Sequence, residues 1–433
     1  MSSQRLQQFS EPAVLVVLLL LSAATVSPRG LFLCALPCFG WMLWRLARSR
    51  RPGTLGGAAV LLLLPGIYFF NASHQWKEGG GTLPVSHLPF LPASAFPEGG
   101  LVSWGFLLVG LTVFWLSAAL NHKQAEWMGL ILSAAGAVTA LAVIGQRLSP
   151  RPYPVYEQTG FFRYENHFAA FANCILPVAL CRGVQLRRHF LRAGRLSSPA
   201  GLLWLSSALL VIACILSGSR AGILICGLIL TAFAGVMADD YFRRKLRIRW
   251  SRRRTRMILW CSLLFVAMCG AILAVFKWDG LAIRGKELSF RAQVLSDTAS
   301  MWRDNPLWGT GPGSFAAIFP YYQTVPPEQT AFLHAHCDPL EFLAEWGLAG
   351  IALFLAAGGI MIRDLLTETA SERHTGRFSG IECAGLCLAL TAVGLHSLID
   401  FPFRHPLIAL MALMWLGMLV RECSFFNIRS AGR

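Results

Sequence analysis

His334-Ala335-His336-Cys337-Asp338 gathers two imidazoles, a thiol and a carboxylate in five residues, just ahead of an apolar run that begins near Gly347. Two histidines and an aspartate have the composition of a metal site. A zinc centre, however, needs three or four ligands with a closing residue, and here Pro339 follows. Asp338, Pro339 and Glu341 stand in N-cap, N1 and N3 order, so the spacing predicts a helix from Pro339 capped by Asp338. That leaves His336 two residues ahead of the cap, at the positive end of a helix. An imidazole there is suited to take a proton from a hydroxyl group near neutral pH, and the plainer alternative is a surface histidine that only hydrogen-bonds. His334 is expected to be structural.

Other polar residues sit where polarity is costly. In Leu216-Ser217-Gly218-Ser219-Arg220-Ala221-Gly222 two apolar runs meet with almost nothing between them, which predicts a tight hairpin with Arg220 at a membrane boundary. A guanidinium there either snorkels to headgroups or grips a phosphate with its fork of donors. Tyr164-Glu165-Asn166-His167-Phe168 opens another helix, where Asn166 is read as a cap, with a sugar hydroxyl as the other partner. His396, Asp400 and Arg404 cluster at the end of a late apolar segment. An Asp400 with Arg404 pair and a substrate-binding role are both open there. Apolar residues at Phe290, Val294, Leu295, Thr298, Met301 and Trp302 fall at helical spacing, predicting an amphipathic surface helix with Arg291 in its first turn. Trp308-Gly309-Thr310-Gly311-Pro312-Gly313 reads as a tight loop.

The elements that must hold these residues are membrane helices. The chain has 433 residues, 55% of them hydrophobic and 14% charged, with a mean hydropathy of +0.54. That excludes an ordinary water-soluble domain. The expected fold is all-α, a polytopic membrane protein of about twelve transmembrane helices, since a span needs roughly 20 apolar residues. The expected spans are 11–27, 30–45, 55–70, 101–120, 127–146, 167–184, 201–217, 220–237, 257–276, 347–362, 380–399 and 405–420. The first is read as a retained helix and not a signal peptide.

With both termini in the cytoplasm, most of the 38 lysines and arginines fall in cytoplasmic segments, the densest block running from Arg243 to Arg256. The net charge of +16 is therefore read as an orientation signal beside anionic lipid, with no nucleic-acid partner. Outward loops are expected at 71–100, 147–166 and 277–346, the last a helical domain between the ninth and tenth spans. Nearly all twelve cysteines lie in apolar runs, so no disulfide framework is expected.

In their order and placement, Asn166-His167-Phe168-Ala169, Ser219-Arg220-Ala221-Gly222, Arg291 followed by Pro306-Leu307-Trp308-Gly309-Thr310-Gly311, and Ala335-His336 through Glu345-Trp346-Gly347-Leu348-Ala349-Gly350 resemble the bacterial O-antigen ligase and polymerase superfamily. The resemblance runs from about Phe162 to Pro406. It divides the chain into N-terminal helices over 1–160, a ligase-like region over 161–420 and a cytoplasmic tail over 421–433.

It implies an inner-membrane glycosyltransferase that takes a glycan from undecaprenyl diphosphate at the periplasmic face and joins it to an acceptor. The acceptor would be a lipid A-core, a further glycan, or a protein. The family's histidine falls on His336 and its diphosphate-gripping arginines on Arg220 and Arg291, while Asn166, His167, Asp338, His396, Asp400 and Arg404 are candidate substrate contacts. Where the family commonly has Asn or Ser after the histidine, this chain has Cys337.

No outward loop carries an Asp-x-Asp pair to hold a divalent ion beside a diphosphate, so neither metal nor cofactor is expected. The rival from another class is a lipid-linked glycan flippase or transporter. Repeated halves and charges deep within several helices would mark it, and this sequence shows neither.

Overall fold

The computed structural model describes residues 37–38, 40, 52–76, 82–149, 159–245, 281–324, 332–371 and 379–431. The expected spans 11–27 and 257–276, nearly all of 30–45, and the basic stretch from residue 246 onward lie outside them. Eleven α-helices are described. They are α1 (Pro52–Phe70), α2 (Pro97–Ala119), α3 (His122–Leu148), α4 (Glu165–Arg192), α5 (Ala200–Ser217) and α6 (Arg220–Lys245), then α7 (Leu281–Asp304), α8 (Phe315–Ile318), α9 (Asp338–Ser371), α10 (Gly380–Ser397) and α11 (Pro406–Ala431). Seven of the described helices, α2 to α6, α9 and α10, are long and apolar enough to cross a membrane, and α1 contributes the shorter apolar stretch Gly57–Phe70. The molecule is a mostly helical, multi-pass membrane protein. An antiparallel hairpin of β1 (His74–Trp76) and β2 (Thr82–Pro84), which hydropathy does not foretell, follows α1.

The helices sort into two compact units. One comprises the described residues within 120–281 and 375–396. Its α3 opens on a capping box, with Asn121 Oδ1 accepting from Gln124 N at 3.0 Å and Gln124 Oε1 from Asn121 N at 2.7 Å. Helical hydroxyls return to carbonyls, as Ser133 does to Gly129, while Ser206 donates across to Ser133 O at 2.7 Å. Arg182, buried in α4, is neutralised by Glu126 at 2.5 Å and by Glu382 of α10. A charge in such helices persists where partners replace water. The expected hairpin between α5 and α6 is present, turning through Gly218 at φ 86°.

The second unit comprises the described residues within 13–119, 282–374 and 397–433. Here α2 packs on α11 and α1 on α9. The helix expected from Phe290 to Trp302 is α7, but it begins nine residues earlier than Phe290, so Arg291 lies in its interior and not in its first turn. Val294, Asp297, Thr298 and Met301 form its buried stripe, and Val294 and Met301 join a small core with Phe315, Phe319, Ala335 and Ala344.

The governing feature of this unit is a break in α9. At Gly347 the backbone takes φ 64° and ψ 177°, so Leu348 N–H and Ala349 N–H cannot reach the carbonyls of Ala344 and Glu345, their helical partners. The loop after α7 supplies all four missing bonds. Leu348 N donates to Pro306 O and Ala349 N to Leu307 O, each at 2.9 Å. Thr310 N and Gly311 N donate to Ala344 O and Glu345 O at 3.0 and 2.8 Å. The approach is so close that a Cβ on Gly347 would strike the Leu307 backbone and one on Gly309 the Glu345 backbone.

Fully buried Tyr68 of α1 places its hydroxyl 2.7 Å from Trp308 O and 2.8 Å from Trp346 O, one on each side of this seam. Replacing Tyr68 by Phe leaves both carbonyls short of a donor, at a cost of about 1–3 kcal/mol. The expected outcome is a lower thermal midpoint for the detergent-purified protein; an unchanged melt would show that the seam does not depend on this hydroxyl.

Candidate functional site

The start of α9 is stitched to the chain that follows α10. Asp338 N donates to Asp400 O at 3.3 Å, and Asp338 Oδ2 accepts from Phe403 N at 2.9 Å. The helix begins within one residue of its expected start, but Asp338 does not cap it. Its carboxyl group instead accepts from an amide in the 3-10 turn Pro402–Arg404. Glu341, expected as the N3 partner of a capping box, turns back to the approach segment, where Oε2 accepts from Ala335 N at 2.7 Å and Oε1 lies 2.9 Å from His334 Nδ1.

Between these anchors stands His336. At φ 55° it is the only non-glycine among the described residues in the left-handed region, a conformation that costs energy unless its surroundings fix it. Its Nδ1 lies 3.3 Å from Oδ1 of Asp400, with the carboxylate 1% exposed and the imidazole 18% exposed. Asp400 Oδ1 also accepts from Phe401 N at 3.0 Å, and the Phe401 ring meets the imidazole edge-on at 4.9 Å. A carboxylate at Nδ1 selects the tautomer with hydrogen there, which puts the proton-accepting lone pair on Nε2.

The alternative in which Asp400 pairs with Arg404 does not hold. Arg404 turns to α9, with Nη2 2.7 Å from Glu345 Oε2 and Nε 3.1 Å from Glu341 Oε1, and its guanidinium lies 4.6 Å above the Phe342 ring. Two buried carboxylates one turn apart need a cation more than Asp400 does, because Asp400 has an imidazole. Burial alone would depress the Arg404 pKa, but Glu345 and Glu341 more than reverse this, so its pKa is raised and the charge is kept. Glu345 Oε1 also accepts from Phe315 N at 3.0 Å, tying the network to α8. Cys337 is half-buried and burial pushes its thiol pKa up, so it remains a neutral thiol beside His336.

Of the remaining candidates, Arg291 is half-buried in α7 of this unit. Arg220, Asn166, His167 and His396 belong to the other unit. Arg220 is the exposed first residue of α6. Asn166 does not cap α4, whose N-cap is Tyr164 without a side-chain bond; one residue inside the helix, Asn166 takes a 2.6 Å hydrogen bond from Ser219 Oγ and donates to Tyr164 Oη at 3.1 Å. Ser219 Oγ in turn accepts from Gly222 N at 3.1 Å, so the residue before Arg220 is fixed to α4. His167 stands edge-on to Tyr164 with centroids 5.3 Å apart, and His396 is fully buried at the end of α10.

The structure thus gathers His336, Asp338, Asp400 and Arg404 around one helix start and adds Glu341 and Glu345 to them. The sequence signal for the two glutamates is their i, i+4 spacing just before an apolar run, where unpaired charges would be too costly.

No curated protein matches the chain. Residues 205–355 match the family model described as O-antigen ligase, a stretch that holds Arg220, Arg291, His336, Glu341 and Glu345 and stops short of Asp400 and Arg404. Over this stretch the chain is similar to the O-antigen ligase family.

Proposed function

We propose that the protein transfers a glycan from an undecaprenyl-diphosphate-linked donor to an acceptor hydroxyl, at the periplasmic face of the bacterial inner membrane and without a metal. The observation that carries this reading is the His336–Asp400 pair on a strained backbone, in a chain whose residues 205–355 match the O-antigen ligase family model.

His336 Nε2 takes the proton of the acceptor hydroxyl as its oxygen bonds to the anomeric carbon. The bond from that carbon to the diphosphate oxygen breaks, and undecaprenyl diphosphate leaves with the electron pair. A single displacement inverts the anomeric centre. Asp400 holds the imidazole in the required tautomer and balances the imidazolium that forms. Negative charge grows on the leaving diphosphate, and Arg220 and Arg291 are assigned to it because a guanidinium offers phosphate two parallel donors and does not lose its charge. The exposed position of Arg220 at a helix start, braced by the Asn166 and Ser219 bond, supports its share of this role.

His336→Ala is expected to lower transfer by roughly 10²–10⁴-fold, the usual contribution of a general base, with unchanged membrane insertion. The assay is product formation by purified protein in liposomes; near-normal turnover would move the base elsewhere, with Asp338 next in line. Arg220→Lys and Arg291→Lys are each expected to lose about tenfold or more, because lysine keeps the charge but not the fork. Full activity of either variant in the same assay would remove that arginine from the diphosphate.

A further inference from the structure

We infer that Glu341 is a positioning residue for the reaction, holding His336 in its strained conformation by gripping the two residues that precede it. The inference rests on the reading of His336 as the proton acceptor. Among the described residues Glu341 is fully buried, and both carboxylate oxygens are engaged. Oε2 fixes the amide of Ala335 at 2.7 Å, and Oε1 is shared between His334 Nδ1 at 2.9 Å and Arg404 Nε at 3.1 Å. His334 is held from its other side by the Phe401 ring, 4.6 Å between centroids, and Phe401 also meets His336.

These contacts determine the backbone on the N-terminal side of His336. On the C-terminal side, Cys337 O accepts from Glu341 N at 3.0 Å. One residue therefore clamps the chain both before and after the left-handed position, by its side chain and by its amide. A left-handed histidine relaxes to an ordinary conformation unless both flanks are fixed, and relaxation would swing the imidazole away from Asp400. Arg404 and Glu345 complete the device, since the guanidinium balances the Glu341 charge and Glu345 holds the guanidinium in place.

Glu341 never touches the acceptor in this account, so its substitution should act through His336 alone. The test is a double-mutant cycle in the liposome assay, with Glu341→Gln, Glu341→Ala and His336→Ala singly and in combination, each variant first matched for thermal midpoint and membrane level. Glu341→Gln keeps an acceptor for the Ala335 amide and is expected to lose about tenfold in kcat. Glu341→Ala is expected to lose about 10²-fold, as a misplaced catalytic group typically does, with KM for donor and acceptor within about twofold of the parent. In the His336→Ala background both substitutions should change the residual rate less than about twofold, the non-additivity expected of residues acting as a unit.

Unchanged kcat in the Gln and Ala variants, alongside an inactive His336→Ala, would overturn the positioning role and leave the proton-acceptor reading standing. Equal further losses in the His336→Ala background would also overturn it, since a merely structural residue behaves that way. An active His336→Ala would instead overturn the reading on which the inference rests.

Discussion

A helix that must break within a stretch apolar enough to cross a membrane, and still satisfy its backbone, is the constraint on which the second unit depends. The turn at Gly347 removes two helical hydrogen bonds, and the Pro306–Gly311 loop replaces them with four of its own. An unsatisfied amide or carbonyl there would cost several kcal/mol in an apolar surrounding, so the loop and the break can exist only together. The glycines are consequences of this contact: positions 309 and 347 lie where backbone meets backbone, without room for a Cβ. Because the loop is the direct continuation of α7, the seam also fixes where α7 ends and where the first turns of α9 begin.

Those first turns carry a set of acidic groups whose burial would be untenable without partners. Asp338, Glu341, Glu345 and Asp400 are all buried and all partnered: Asp338 by the Phe403 amide, Glu341 by the His334–Ala335 approach, Glu345 by the Phe315 amide, Asp400 by His336, with Arg404 shared between the two glutamates. Buried ion pairs of this kind stabilise little relative to apolar packing, but losing one member is severe, which favours a single arrangement over its alternatives. In this protein that arrangement holds a histidine in a backbone conformation it would not choose alone. The strain and the charges are therefore one device, with the broken helix as its frame.

Much of the helical order was legible in the sequence because a bilayer imposes a strong hydropathy pattern. The described helices fall on nine of the expected spans, and the hairpin ending in Gly218 was evident from the shortness of the polar gap. What could not be read was partner choice. Asp338 looked like a cap because caps are local in sequence, while its acceptor role goes to Phe403, 65 residues away. Asn166 failed as a cap for the same reason, its partner being Ser219. Asp400 and Arg404 stand four residues apart, yet each finds a better-placed partner on another segment. The kink at Gly347 was invisible to hydropathy, which runs through it unbroken.

The central claim is chemical: a glycosidic bond is made as a lipid diphosphate is released. The most direct measurement is to reconstitute the purified protein in liposomes with an undecaprenyl-diphosphate-linked glycan and an acceptor bearing a free hydroxyl, and to quantify glycosylated acceptor and released undecaprenyl diphosphate together. The account predicts equal molar amounts of the two, rising with time and of inverted anomeric configuration. Movement of the lipid-linked glycan across the bilayer with no glycosylated acceptor formed would contradict it.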